Sequence, residues 1–196
     1  MALVSPRDPH DLAAYETALP EVTVGRVQPL PGRIVLCEYD PRWSERYDDV
    51  CARVNAALGD RVIRIEHVGS TSVPGLAAKP IIDVVLEVVA SADEPAYAGD
   101  LEGAGYVLRI REPGWFEHRL FRVPGSVHLH VFSAGCPETD RMVRFRDHLR
   151  ADAADRDLYA RTKCDLAARD WKYMQQYADA KTEVIDAIMV RAGLRG

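Results

Sequence analysis

Ile65-Glu66-His67-Val68-Gly69-Ser70-Thr71-Ser72-Val73-Pro74-Gly75-Leu76-Ala77-Ala78-Lys79-Pro80-Ile81-Ile82-Asp83 is the stretch on which the fold turns. A strand from Val62 to Val68 is broken by Gly69-Ser70-Thr71-Ser72, a short segment runs to Lys79, and the strand from Pro80 to Val89 brings back an aspartate. That second strand reads Ile-Ile-Asp-Val-Val-Leu-Glu-Val-Val, apolar at almost every position, as expected when both faces of a strand are covered. Its two carboxylates, Asp83 and Glu87, are therefore conspicuous. A Gly-Ser turn that opens a helix aims backbone N–H groups and a hydroxyl at phosphate oxygens. An aspartate on the adjoining strand is placed to hold the divalent metal that neutralises them. Together they predict a site for the tail of a nucleoside triphosphate.

Outward from this stretch, Arg33 to Glu38 alternates apolar and polar residues and predicts a first strand, after which Asp40-Pro41 opens a helix to about Leu58. Trp43, Tyr47, Val50, Val54 and Leu58 recur every three or four residues and give that helix one buried stripe. On the other side follow a helix from Glu94 to Ala104 and strands near Tyr106–Arg111, Trp115–Val123 and Ser126–Phe132. The turns Glu112-Pro113-Gly114 and Pro124-Gly125 join these strands in an antiparallel meander. From residue 138 onward the pattern is helical, with expected helices at Asp140–Asp152, Asp155–Asp170 and Trp171–Ala192. Residues 1–32 carry five prolines and predict an irregular arm with at most one short helix near Leu12–Leu19. The fold class is thus α/β (α+β), a mixed sheet flanked by helices with a C-terminal helical segment, in one domain over 33–196.

The whole chain of 196 residues has a net charge of −5, with 47% hydrophobic and 28% charged residues. This is the mixture of a water-soluble globular protein. The acidic balance argues against a nucleic-acid or anionic-membrane partner, so any phosphate site must be a local cluster. Four scattered cysteines form no Cys-x-x-Cys pair and suggest neither zinc knuckle nor disulfide framework. The amino-terminal residues lack a signal-peptide core, and no apolar run approaches the ~20 residues of a membrane span. A cytoplasmic location is the expectation.

The stretch from His67 to Asp83 resembles the GrpB family, a branch of the nucleotidyltransferase superfamily, and also the domain fused behind dephospho-coenzyme A kinase in some actinobacteria. Tyr39-Asp40-Pro41-x-Trp43, His128-Leu129-His130, Phe145-Arg146-Asp147-x-Leu149-Arg150 and Tyr159-x-x-x-Lys163 carry the same resemblance, which extends over residues 33–192. It implies a nucleotidyltransferase-like fold and metal-assisted chemistry on a nucleoside triphosphate or similar phosphorylated small molecule, with Asp83 as the catalytic carboxylate. Nucleotidyltransferases bind metal through an Asp-x-Asp pair, whereas Val85 stands where the second aspartate would be. Glu87 shares the face of Asp83 but lies about 13 Å further along the strand, too far to ligate the same ion.

The candidate metal set is therefore Asp83 with His128 and His130, joined by His67. The metal is divalent: magnesium, manganese or zinc, with the imidazoles favouring a transition metal. Gly69, Ser70, Thr71, Ser72, Lys79, Arg119, Arg146 and Lys163 are the candidate nucleotide and phosphate contacts. Glu66 and Arg64 alternate with His67 and are expected on the face away from the site. The spacing of Gly75-Leu76 and Lys79-Pro80 excludes a Walker loop. The competing expectation is a non-catalytic accessory module that keeps the fold without the paired aspartates.

Overall fold

In the computed structural model, which describes Pro6 and residues 8–194, the centre is a five-stranded mixed sheet flanked by helices. Its strands are β1 (Arg64–Val68), β2 (Ile82–Val88), β3 (Val107–Glu112), β4 (His118–Val123) and β5 (Val127–Ser133), in the spatial order β1-β2-β5-β4-β3. β2 and β5 pair in parallel, and the other neighbours are antiparallel. The meander expected of the last three strands is present. β4 begins at His118 rather than Trp115, because Phe116 and Glu117 both take positive φ in the connecting turn.

One face of the sheet is closed by α2 (Arg42–Leu58) and α3 (Ala98–Gly103). Trp43, Val50, Val54 and Leu58 are buried against Val84, Leu86, Leu129 and Val131, as the helical stripe predicts. The other face looks towards α4 (Pro137–Ala151), α5 (Ala153–Ala167), α6 (Met174–Asp179) and α7 (Thr182–Arg191). A single helix over Trp171–Ala192 was the expectation; the chain instead breaks at Ala180-Lys181, which turns Tyr177 and Lys181 into the cavity while Ile188 packs with Leu149 and Tyr159.

Arg33 to Glu38 forms no strand, which corrects a second expectation. Cys37 alone makes an isolated bridge, to Ala78, because Ile34 and Leu36 bury themselves against Leu166, Trp171 and Tyr177 instead of joining the sheet. The arm holds α1 (Leu12–Val22), capped by Asp11 and extending through Pro20. Residues 1–5 and 7 of the arm lie outside the described residues. Among the described residues no helix is long and apolar enough to cross a membrane.

Candidate functional site

The strand register decides which side chains meet. Val68 pairs with Asp83, Asp83 with His128, His128 with Arg122 and Arg122 with Val107, so these residues form one row across the sheet. Paired residues share a face. That face is opposite the one packed on α2, and it floors a cavity of about 1000 Å³ roofed by the C-terminal helices and edged by the arm. Asp83, His128, His130 and Arg122 all line it.

Asp83 accepts a hydrogen bond from His128 Nδ1 at 3.1 Å. Burial pushes its pKa up, but the hydrogen bond and the charges of His128, His130 and Lys79 outweigh that and hold it at about 2. It is a carboxylate at every physiological pH. Gly69 makes this position possible: its backbone, at φ +69°, passes directly against the Asp83 side chain.

Three lysines converge from outside the sheet. Lys79 comes from the segment before β2, Lys163 from α5 and Lys181 from the break before α7. Lys163 donates to the carbonyl oxygen of Ala77 at 2.5 Å and lies over the Tyr159 ring. Lys79 contacts the Met174 sulfur, and Lys181 lies over the Tyr177 ring. None of the three forms an ion pair with a carboxylate among the described residues; Asp83 is the acid whose charge all three feel. Burial is the main cause that lowers their pKa values, with Lys181 repelling the other two, to about 8 for Lys79 and about 7 for Lys163. Arg122 is likewise pushed down by burial, and its Nε has no hydrogen-bond partner. These four cations outnumber the acids that act on them, Asp83 and, at Lys181, Asp179, which gives this end of the cavity a local positive excess.

Several expected site residues are elsewhere. His67 pairs with Val84, not with an odd-numbered β2 residue, so it faces α2, stacks on Tyr47 and hydrogen-bonds Thr71. Burial holds its pKa down at about 4. It cannot share an ion with Asp83, and Glu66, expected on the far face, is the one on the Asp83 side. Arg119 also points to the α2 and α3 side, where its guanidinium bonds Glu94 at 2.6 Å, and Arg122 takes the cavity position. Arg146 reaches the cavity edge but is spent on Glu66, Asp147 and the His67 carbonyl.

The hydroxyls of Thr71 and Ser72 donate to the carbonyls of Ile81 and Gly69, which fixes the turn, while Ser70, hydrogen-bonded to Tyr159, lines the cavity beside Thr71. The donor atoms of Asp83, His128 and His130 do not gather closely enough for one ion. Among the described residues only His148, Asp152 and Asp155 offer three donors within 4.8 Å of one another, and there Arg191 already pairs with Asp155.

Sequence reasoning missed Glu112 and His118. His118 bonds Glu112 through Nδ1 at 2.7 Å and His130 through Nε2 at 3.1 Å. The two residues flank a proline-glycine turn, and nothing in their spacing marks them as partners. Lys181 had a signal, since Tyr177-x-x-x-Lys181 repeats the spacing of Tyr159-x-x-x-Lys163.

The sequence profile described as "GrpB protein" matches residues 33–191. A UPF0157 protein of Halalkalibacterium halodurans is 56% identical over 89% of this chain and 90% of its own. A UPF0157 protein of Streptomyces coelicolor is 51% identical over 82% and 84%. The crystal structure of the conserved protein GrpB from Enterococcus faecalis superposes with a TM-score of 0.69 at 29% identity, covering 81% of this chain and 96% of that one. A dephospho-CoA kinase of Mycobacterium bovis is 27% identical over 77% of this chain, but only 43% of that protein takes part.

Proposed function

The chain belongs to the GrpB family, and from the cavity built by its family segment we propose that it binds a nucleoside triphosphate or a similarly phosphorylated small molecule as a metal complex. The observation that carries this reading is the cluster of buried Lys163 with partly buried Lys79, Lys181 and Arg122, none of the lysines ion-paired among the described residues, around the carboxylate of Asp83. Magnesium keeps most of its ligands from water and substrate phosphates and needs only one or two protein carboxylates. Asp83 supplies one, oriented by His128. The metal, when bound, neutralises charge on the phosphate oxygens.

In nucleotidyl transfer an acceptor hydroxyl forms its bond at the α-phosphorus while the bond to pyrophosphate breaks. The lysines stabilise the negative charge that accumulates on the leaving pyrophosphate, and Ser70 with the Gly69 turn lines the same cavity. One observation favours a second reading, a binding module without catalysis. Val85, at the place of a second aspartate, is fully buried with Val68, Phe132 and Cys136.

Thermal shift against the four nucleoside triphosphates with Mg²⁺, Mn²⁺ or Zn²⁺ tests binding. A ligand at a hundred times its Kd stabilises by about 2.7 kcal/mol, enough to move a melting midpoint by several degrees. A pyrophosphate-release assay then separates the two readings. A shift without release supports the module, and no shift with any nucleotide overturns both.

A further inference from the structure

We propose that His130 accepts a proton from the acceptor hydroxyl at Nε2, and that His118 and Glu112 relay the displaced proton away from the cavity. This rests on the transfer reading above and adds to it the base that the reading lacks.

The three residues stand on neighbouring strands. Glu112 ends β3, His118 opposite it begins β4, and His130 lies on β5 with its ring in the cavity wall. Glu112 and His118 are 7% and 3% exposed, so water does not complete their hydrogen bonds. The His118 ring is fixed by stacking on Phe132 and His130 and by the edge contact with Trp115.

A carboxylate at one end sets the direction of every hydrogen bond along the line. Ionised Glu112 accepts from His118 Nδ1–H, so His118 Nε2 carries a lone pair and accepts from His130 Nδ1–H. His130 Nε2 is left as the lone pair that opens on the cavity. The proton balance follows from the same line. The acceptor's O–H proton passes to His130 Nε2, the His130 Nδ1 proton passes to His118 Nε2, and the His118 Nδ1 proton passes to Glu112. The oxygen freed of its proton forms the new bond to phosphorus. Both imidazoles begin and end neutral, and only the carboxylate changes charge.

The environment favours that outcome. Burial pushes both imidazoles down, against becoming cations, and pushes the Glu112 carboxyl up, towards holding a proton. His128 is assigned to Asp83 instead: its Nδ1 orients that carboxylate, which faces the lysines.

The test is the tautomer of each ring in the full-length protein, read from long-range ¹H–¹⁵N correlations with ¹⁵N-histidine at about pH 8.5, above the Glu112 value of about 7, so that this carboxyl is ionised. Free imidazole favours Nε2–H. The relay requires Nδ1–H at both His118 and His130, and Nε2–H at His130 in the unmodified protein overturns it. In His118→Phe, whose ring keeps the stack on Phe132, His130 is expected to revert to Nε2–H and to lose reactivity several-fold towards diethylpyrocarbonate, mapped by peptide mass. Unchanged tautomer and reactivity in a folded variant also overturn it. Neither readout needs a nucleotide, so a failed triphosphate assay and a failed relay are told apart.

Discussion

A methyl group added at Gly69 would lie 2.5 Å from Asp83 Oδ2 and 2.9 Å from its Cβ. The backbone there, at φ +69° and ψ −173°, is in a region that only glycine occupies without strain. Gly69→Ala is therefore expected to cost about 1–3 kcal/mol and to move Asp83 out of its row. The readouts are urea unfolding and loss of the Mg²⁺-dependent part of any nucleotide thermal shift; a variant as stable and as responsive as the parent would sink the assignment.

Lys163 is a different kind of residue, one the fold would be better without. Its pKa of about 7 lies below the ordinary 10.5, so between those values the unfolded chain holds more protons and stability rises with pH. Urea midpoints should climb between neutral and about pH 9, and Lys163→Met should flatten that climb. The same variant should melt no lower than the parent while weakening triphosphate binding by about tenfold or more, that is about 1.4 kcal/mol. Gly69, Asp83 and Lys163 were all legible as single residues, because each stands in a distinctive local string. Glu112 was not, since its role exists only through an imidazole on the next strand.

Between strands, alternation shows which side chains share a face but not which face meets the site. β1 pairs even residues with odd residues of β2, so Val68 and Glu66 join Asp83 while His67 joins Val84. A register shifted by one would have done the reverse. This parity is a property of pairing, and it accounts for the error over His67 and Glu66. Arg119 and Arg122 pose a related problem. Alternation separates them, but the choice between them needed the position of Glu94, which holds Arg119 on the helix side.

β2 itself was readable from its apolar run, and its Val85 gives a prediction at this scale. Val85 has no exposed surface and packs with Val68, Phe132 and Cys136, and its partner on β1 is Glu66, so Val85→Asp would bury a carboxylate beside another one. The expected result is a loss of about 3 kcal/mol or more, visible in urea unfolding, with no gain in metal binding by calorimetry. A folded variant that binds Mn²⁺ more tightly would mean that the pocket retains room for a second ion.

At the scale of the whole molecule the cavity has three walls of different sequence origin. The sheet and the C-terminal helices belong to the family segment, residues 33–191. The third wall is the arm, whose Leu19, Thr23, Arg26 and Val27 line the same space. The arm is tied at both ends of its helix. Val24 N–H donates to Arg109 on β3, Gln176 reaches the Pro9 carbonyl, and Tyr15 OH donates to Asp179 at the end of α6 at 2.6 Å.

A short helix near Leu12–Leu19 was legible here and α1 runs three residues further, through Pro20, but the docking of the arm on a distant segment was not, because local propensity does not register it. Tyr15 is fully buried, so Tyr15→Ala removes both a hydrogen bond and an aromatic anchor. If the arm is a separately opening unit, hydrogen exchange across Leu12–Val22 should accelerate while the sheet strands keep their protection. The main melting transition should hardly move, and triphosphate affinity should fall because one wall of the site has loosened. Exchange that quickens equally in β2 and β5 would show instead that arm and body unfold as one, and that the arm is structural support for the core rather than a wall added to the cavity.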